Sequence, residues 1–260
     1  MEIIKNKKLF IFDIDGTISL DNRLFSRTKD VFEKLYSQGK SIYVITNNSS
    51  KLPAHYISNL EKAGLDMGKI KLITSLDIAL TYLEENGFKN IYFAANSQVS
   101  EHIISKGFQY DEDSPKCILL TFDTELNYKK LLKITELLHR NTPYFVTHMD
   151  FVCPTDLGYF VPDVGSFMAL IEATTGKRPD KAFGKPESYG IEKALRETGL
   201  KAADAIVFGD RLYTDIELGN RAGVTSVLVL SGETNMKMYA ESTIKADIVM
   251  ESIDDLYDYL

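Results

Sequence analysis

The chain has 260 residues, of which 44% are hydrophobic and 26% are charged, so it can bury a full core and we do not expect it to be disordered. Its formal net charge is −7, and the lack of a basic excess argues against a nucleic acid as partner. No apolar run approaches the ~20 residues of a membrane span, and the chain reaches Asp13 too soon for a signal peptide, so we expect a soluble, cytoplasmic protein without a membrane partner.

Short apolar runs alternate with segments of helical periodicity, which predicts an α/β fold with a parallel sheet covered by helices. Uninterrupted apolar runs are typical of strands buried on both faces, and they are Leu9 to Phe12, Ile42 to Ile45, Ala205 to Phe208 and Val227 to Leu230. A helical stripe of Val31, Phe32, Leu35 and Tyr36 predicts one crossover helix. Pro53 to Ala63, which begins with proline and precedes Gly64, predicts another.

The middle of the chain repeats this alternation. Strands are predicted at Asn90 to Ala95, Cys117 to Thr121 and Tyr144 to Thr147, and an amphipathic helix at Tyr128 to His139. Two segments interrupt the rhythm, Asp111 to Lys116 and the turn-rich stretch His148 to Gly165. Composition alone leaves open whether this region extends the first sheet or forms a separate inserted lobe.

Two carboxylates, Asp13 and Asp15, follow the first predicted strand at the end where ligands bind in open α/β sheets. If the strand pattern continues to Asp15, both lie on one face, and Gly16 permits a backbone turn after them. Like charges ~4 Å apart repel by roughly 4 kcal/mol at an effective dielectric of ~20, so a shared proton or a cation must compensate. Oxygen ligands favour Mg²⁺ or Ca²⁺. An EF-hand is excluded, because its glycine and glutamate positions hold Ile18 and Leu24, whereas a solvated turn stays open.

Polar residues also follow other predicted strands. Thr46 to Ser50 is a run of small polar residues suited to an anionic oxygen, although such a run is also typical of a turn or helix cap. Asp210 and Asp215 follow the strand Ala205 to Phe208. Lys185 lies in a Gly/Pro loop before a predicted helix and is a candidate phosphate ligand.

Competing catalytic signatures are missing from the sequence. It contains no Gly-x-Ser-x-Gly elbow, Walker loop, Gly-x-Gly-x-x-Gly or His-Glu-x-x-His motif. Its histidines show no metal-ligand spacing, and most of them are interpreted as surface or packing residues.

Taken together, four segments resemble the motifs of phosphatases of the haloacid dehalogenase (HAD) superfamily: Asp13–Thr17, Thr46–Ser50, Gly184–Pro186 and Gly209–Asp215. The sequence Thr-Asn-Asn-Ser-Ser in the second motif is similar to the NagD or 4-nitrophenylphosphatase branch. The resemblance implies a Rossmann-like core with a parallel sheet and a smaller inserted α/β cap that selects the substrate. We therefore expect the core at residues 1–80 and 182–260 and the cap at residues 81–181.

The resemblance also implies a mechanism, Mg²⁺-dependent hydrolysis of the phosphomonoester of a small metabolite. Asp13 would be the nucleophile that forms an aspartyl-phosphate, and Asp15 the general acid and base. Mg²⁺ would bind Asp13, the main-chain carbonyl of Asp15 and Asp210, with Asp215 supporting the metal shell. The remaining phosphoryl oxygens would bind Thr46, Asn47 and Lys185.

The sequence departs from this family pattern in the expected cap. Thr147–Asp150 reads Thr-His-Met-Asp where many members have Thr-Asn-Pro-Asp, and Pro162–Gly165 reads Pro-Asp-Val-Gly where Pro-Gly-x-Gly is common. His148, Asp150 and Asp163 are therefore either substrate contacts or parts of a polar turn.

Several alternatives stay open. A phospho-acceptor module or a sugar-phosphate-binding protein without efficient turnover would use similar residues, and Asp15 argues against a dehalogenase of the same superfamily. The physiological substrate also stays open among sugar phosphates, phosphoglycolate, nucleotides and pyridoxal phosphate, as does a homo-oligomer formed through the cap.

Overall fold

The computed structural model describes residues 2–20, 23–153 and 159–260. The chain divides into two compact units. The first, called the core unit, contains Met1–Thr46, Pro53–Ile73 and Lys185–Leu260. The second, called the inserted unit, contains Asn47–Leu52 and Thr74–Gly184. Relative to the limits expected from the sequence, residues 47–52, 74–80 and 182–184 lie in the inserted unit.

A six-stranded sheet forms the centre of the core unit. In spatial order its strands are Ile248–Met250, Thr225–Val229, Ala205–Gly209, Leu9–Phe12, Ser41–Thr46 and Lys71–Thr74. Leu9 pairs in parallel register with Ala205 on one side and with Ser41 on the other. The predicted α/β fold is confirmed, and the central strands are fully buried because their uninterrupted apolar runs face helices on both sides.

The strand order of this sheet reverses beside Leu9–Phe12. The next strand along the chain, Ser41–Thr46, lies on one side, while Ala205–Gly209, far away in sequence, lies on the other. Such a topological switch point opens a crevice at the carboxyl ends of the strands. Asp13 and Asp210 follow the two strands that flank it.

The helices of the core unit cover this sheet and are Glu2–Lys5, Thr28–Ser37, Pro53–Lys62, Tyr189–Thr198, Glu217–Ala222 and Met236–Glu241. Short 3-10 helices are Met67–Lys69, Ala202–Asp204 and Ile253–Tyr259, and Leu212–Ile216 is a π-helical turn. A hairpin pairs Ser19–Leu20 with Arg23–Leu24. The predicted stripe of the second helix is buried except at Tyr36, which is exposed because it lies at the edge of the stripe. Phe12 anchors the core, with ring centroids 4.8 Å from both Phe32 and Phe208.

The inserted unit has its own five-stranded sheet, so the middle of the chain does not extend the first one. In spatial order its strands are Lys181–Ala182, Tyr144–Val146, Ile118–Leu120, Asn90–Ala94 and Gln109–Tyr110. Its helices are Ser75–Glu85, Ser97–Ser105, Tyr128–His139 and Val164–Thr175, and Val152–Cys153 pairs with Val161–Pro162. In the turn-rich stretch predicted from His148 to Gly165, residues 154–158 lie outside the described residues.

Across the described ranges, no helix has both the length and the apolar character needed to cross a bilayer.

Candidate active site

Three carboxylates meet at the switch point of the core unit. Asp13 directly follows Leu9–Phe12, and its N–H donates to the carbonyl of Phe208 at 3.0 Å, so the adjacent strand fixes its backbone. Asp210 follows Ala205–Gly209, and Asp215 lies in the π-helical turn Leu212–Ile216. One carboxylate oxygen from each of Asp13, Asp210 and Asp215 lies within 4.8 Å of the others. We call these three residues the carboxylate cluster.

Lys185 joins two members of this cluster. Its Nζ donates to Asp215 Oδ1 at 2.6 Å and to Asp13 Oδ1. The lysine side chain is only 7% exposed, so its charge acts in a poorly screened environment. The loop placement of Lys185 predicted from the sequence thus brings its ammonium group directly onto the predicted nucleophile.

The ionisation of the cluster reflects its excess of negative charge. Burial, followed by repulsion from Asp215, raises the pKa of Asp13 to about 7 even though Lys185 opposes this shift. Burial, then repulsion from Asp215 and Asp13, raises the pKa of Asp210 to about 8. Burial alone would lower the pKa of Lys185, but the attraction of the two carboxylates raises it above its usual range. One lysine therefore does not balance three ionised carboxylates.

The two carboxylate oxygens of Asp210 differ in their hydrogen bonding. Its Oδ2 accepts a hydrogen bond from the Glu233 N–H at 2.7 Å. Its Oδ1 is buried and has no hydrogen-bond partner within the part of the chain that the structure describes. Buried polar atoms are rarely left unpaired, and an all-oxygen donor set is the one that Mg²⁺ and Ca²⁺ prefer. The residues of the cluster thus fit a divalent cation.

Glycines let the backbone approach Asp210 closely. Gly16 has a positive φ of 84°, as the turn predicted after Asp15 requires, and a Cβ there would lie 2.5 Å from Asp210 Oδ2. Gly232 packs against the same carboxylate, and Ser231 Oγ donates to the carbonyl of Gly16 at 2.7 Å. Sequence reasoning missed the role of the Ser231–Glu233 loop, because its contacts use backbone groups. Its position directly after the strand Thr225–Val229 was the available signal.

Asp215 is the most fully bonded carboxylate of the three. Besides Lys185, it accepts the backbone N–H of Arg211 at 3.1 Å and the hydroxyl of Thr214 at 3.4 Å. Gly209 packs against it so closely that any side chain at that position would collide with Asp215. The observed contacts hold Asp215 where it orients Lys185.

Asp15 and Thr46 also lie in the core unit but differ in exposure. The strand ends at Phe12 and does not continue to Asp15, which forms an isolated backbone bridge with Ser19. The turn at Gly16 ends the strand early and leaves Asp15 exposed. Asp15 lines a small recess of about 70 Å³ together with His55 and Tyr56. Thr46 is buried at the end of Ser41–Thr46.

Asn47 follows Thr46 along the chain but belongs to the inserted unit. Its Nδ2 donates to Asp150 at 3.1 Å, and its backbone carbonyl accepts the hydroxyl of Ser75. Gly184 lies against its side chain, because a Cβ at that position would be 2.5 Å from Asn47 Oδ1. The second predicted motif is thus divided between the two units.

Comparisons with known proteins identify the family of this chain. The family model described as haloacid dehalogenase-like hydrolase matches residues 10–109, and the HAD-hydrolase-like model matches residues 182–256. The crystal structure of a 4-nitrophenylphosphatase from Thermotoga maritima is 35% identical, with a TM-score of 0.94 and 98% of each chain covered. A solved structure named as a nagD protein is 34% identical, with a TM-score of 0.91 and coverage of 98% of this chain and 99% of its own.

A curated relative from Arabidopsis thaliana, the chloroplastic phosphoglycolate phosphatase 1A, is 26% identical over 98% of this chain and 77% of its own length. The resemblance read from the four motifs is therefore confirmed. The chain belongs to the haloacid dehalogenase-like hydrolases and, within them, to the phosphatases of the NagD and 4-nitrophenylphosphatase branch.

Proposed function

We propose that this protein is a Mg²⁺-dependent phosphomonoester hydrolase that acts on a small phosphorylated metabolite through an aspartyl-phosphate on Asp13. The observation that carries the proposal is the carboxylate cluster, with a buried lysine joining two of its members and an unpaired oxygen on the third. Phosphoryl transfer depends mainly on positioning and charge neutralisation, which this arrangement offers.

Asp13 is the nucleophile in this proposal. One of its carboxylate oxygens attacks phosphorus, the new P–O bond forms, and the bond from phosphorus to the leaving alkoxide breaks. The N–H bond to Phe208 fixes the backbone of Asp13, and Lys185 fixes its side chain. Both contacts favour attack from one defined direction.

Asp15 is the general acid and base. It gives its proton to the departing alkoxide, and its carboxylate then takes a proton from the water that attacks the aspartyl-phosphate. The second step releases inorganic phosphate and restores Asp13. The exposure of Asp15 on the turn before Gly16 suits a residue that must reach both a leaving group and a water molecule.

Charge neutralisation involves the remaining residues. Lys185, Thr46 and Asn47 bind phosphoryl oxygens, with the lysine supplying the fixed positive charge. Asp13, Asp210 and the main-chain carbonyl of Asp15 would hold Mg²⁺, and Asp215 would orient Lys185 and support the metal shell. When bound, the ion supplies the additional positive charge that stabilises the phosphoryl group in the transition state.

The inserted unit selects the substrate in this proposal, as the cap of the family does. Two of the similar proteins are named for a small phosphomonoester, 4-nitrophenyl phosphate or phosphoglycolate. A metabolite of comparable size is the substrate class that we propose here.

A phosphate-release screen tests the proposal directly. The purified protein is incubated with a panel of sugar phosphates, phosphoglycolate, nucleotides and pyridoxal phosphate, once with Mg²⁺ and once with EDTA. We expect release that depends on Mg²⁺ and returns when the ion is restored. Tight binding without release would support the alternative of a binding protein, and a phosphorylated Asp13 that persists for hours would support a phospho-acceptor.

A further inference from the structure

A second group of metal-ligating side chains lies entirely within the inserted unit. His148, Asp150 and Asp163 each contribute a ligand atom within 4.8 Å of the others, and we call them the histidine cluster. His148 and Asp163 are also two of the residues at which the sequence departs from the resembled family pattern. Their side chains are partners, since His148 Nε2 lies 3.0 Å from Asp163 Oδ1. The two departures therefore form one structural unit.

The histidine cluster continues into a chain of buried hydrogen bonds. His148 Nδ1 lies 3.1 Å from Thr147 Oγ1, and Thr147 Oγ1 lies 2.8 Å from Ser49 Oγ. Ser49 Oγ in turn accepts the backbone N–H of Phe122 at 2.9 Å. Ser49, Thr147 and His148 are fully buried, so each bond lacks competition from solvent.

One direction of donation satisfies every member of this chain. The Phe122 N–H donates to Ser49, Ser49 donates to Thr147, and Thr147 donates to His148 Nδ1. A neutral His148 then donates from Nε2 to Asp163. Asp163 also accepts the N–H of Val164 at 2.7 Å and so caps the helix Val164–Thr175, whose N-terminal dipole favours its negative charge.

A parallel path links the same helix to Asn47. The N–H of Gly165 donates to the carbonyl of Asp150 at 2.8 Å, and a Cβ at Gly165 would lie 2.5 Å from the carbonyl of Met149. The start of the helix therefore packs tightly on the backbone that carries Asp150. Asp150 accepts from Asn47 Nδ2 at 3.1 Å.

We propose that the histidine cluster is a positioning device that connects the start of the helix Val164–Thr175 to the segment Asn47–Ser50. Through Ser49 and Asp150 it fixes the orientation of Asn47, and thereby its ability to bind a phosphoryl oxygen. This inference rests on the proposed function, because the role of Asn47 as a phosphate ligand belongs to that proposal. The existing hydrogen bonds use both ring nitrogens of His148, which favours positioning over metal binding.

A double-mutant cycle on His148→Phe and Ser49→Ala tests the proposal. Both variants break the series of hydrogen bonds, one at His148 and the other at Ser49, in the segment that carries Asn47. We expect each to raise KM for a phosphomonoester, and the inhibition constant of inorganic phosphate, by about five- to tenfold, the effect of one buried hydrogen bond of about 1–1.4 kcal/mol. The effect on kcat should be smaller than the effect on KM. The double variant should have the same KM as either single variant, because one substitution already interrupts the series of hydrogen bonds.

Ile134→Ala provides the matched control. Ile134 is fully buried in the core of the inserted unit. Its truncation destabilises this unit without removing any of these hydrogen bonds. We expect a lower Tm and an unchanged KM. A second, milder variant, His148→Asn, replaces His148→Phe in the cycle if the latter fails to fold.

The outcomes separate the two proposals. If the wild-type protein releases no phosphate from any substrate, the proposed function fails. If the wild-type protein is active but His148→Phe and Ser49→Ala leave KM and the inhibition constant of phosphate unchanged, the proposed positioning role is contradicted. Equal increases in KM for Ile134→Ala, or additive effects in the double variant, would also overturn it, since general destabilisation would then explain the data.

Discussion

The carboxylate cluster of the core unit and the histidine cluster of the inserted unit contain similar donor atoms but differ in how hydrogen bonds satisfy them. In the histidine cluster, the ring nitrogens of His148 and the carboxylates of Asp150 and Asp163 have protein partners. In the carboxylate cluster, one oxygen of Asp210 has none among the described residues, and Lys185 pairs with Asp13 and Asp215 but not with Asp210. Spacing alone therefore does not distinguish a ligand site from a structural network. The unsatisfied atom and the unbalanced charge do.

The largest effect should come from Asp13→Asn. An amide is not a nucleophile, so we expect kcat to fall by at least about 10³-fold with the fold intact. Phosphate release and Tm, measured on the same preparations, check this prediction. Asp30→Asn, an exposed carboxylate on the helix Thr28–Ser37, is the control and should retain full activity. Substantial turnover by Asp13→Asn would remove Asp13 from the nucleophilic role.

Asp15→Asn should produce a loss that depends on the leaving group. Alkyl phosphates need a protonated leaving group, so we expect kcat for them to fall by about 10²- to 10³-fold. 4-Nitrophenolate is a stable leaving group without a proton, so kcat for 4-nitrophenyl phosphate should fall much less. Measuring kcat for both substrates checks this. Equal losses on the two would show that Asp15 is not the general acid.

Mg²⁺ should stabilise the protein through the carboxylate cluster alone. Binding to the folded state raises Tm, and about 1 kcal/mol corresponds to about 2–4 °C for a chain of this size class. We expect Asp210→Asn to remove most of the Mg²⁺-dependent increase, and His148→Phe to leave it unchanged. Thermal unfolding with increasing Mg²⁺ measures both. If His148→Phe abolished the Mg²⁺-dependent increase in Tm, the histidine cluster would itself bind the metal. The distinction between the two clusters would then be contradicted.

The metal-free protein should lose stability as the pH rises. The pKa of Asp210 lies at about 8 in the folded protein and at about 3.9 when unfolded. A raised folded-state pKa stabilises the protein below the unfolded value, and this contribution disappears as the pH rises through the folded value. Asp13, with its pKa raised to about 7, contributes in the same direction.

Urea unfolding of the metal-free protein at pH 5 and pH 8 measures this dependence. We expect Asp210→Asn to weaken the pH dependence and to raise the urea midpoint at pH 8. A midpoint that is independent of pH in the wild-type protein would contradict the crowding of charge in the carboxylate cluster.

The smallest expected effect concerns the stability of the inserted unit. Asp163→Ala removes the N-cap of the helix Val164–Thr175 and the partner of His148, which should lower the free energy of unfolding by about 1–2 kcal/mol. Denaturant unfolding measures it. An unchanged midpoint would show that these bonds do not stabilise the inserted unit.

Local sequence patterns predicted the elements that depend on burial. The helix Tyr128–His139 has the predicted bounds, because its amphipathic stripe and the Asn127 N-cap coincide. The strands Leu9–Phe12 and Asn90–Ala94 likewise follow from continuous apolar runs. The separation into two sheets could not be predicted from composition, since both sheets use the same kind of apolar strand. The resemblance to a capped family supplied that expectation.

The candidate site was less accessible to sequence reasoning where it depends on backbone groups and on distant pairs. The meeting of Asp13 and Asp210 follows from the shared edge of parallel strands, which the pattern predicted. The hydrogen bond from the Glu233 N–H to Asp210 has no side-chain signature. The pairing of His148 with Asp163 joins two residues that were separate departures in the sequence, so only the fold shows them to be partners.

A crystal grown with Mn²⁺ in place of Mg²⁺ tests the central claim most directly, because anomalous scattering locates the ion without assumptions about its ligands. We predict a single strong anomalous peak bonded to Asp13 and Asp210, and none at His148, Asp150 and Asp163. A peak at the histidine cluster, or no peak at the carboxylate cluster at saturating Mn²⁺, would contradict the account.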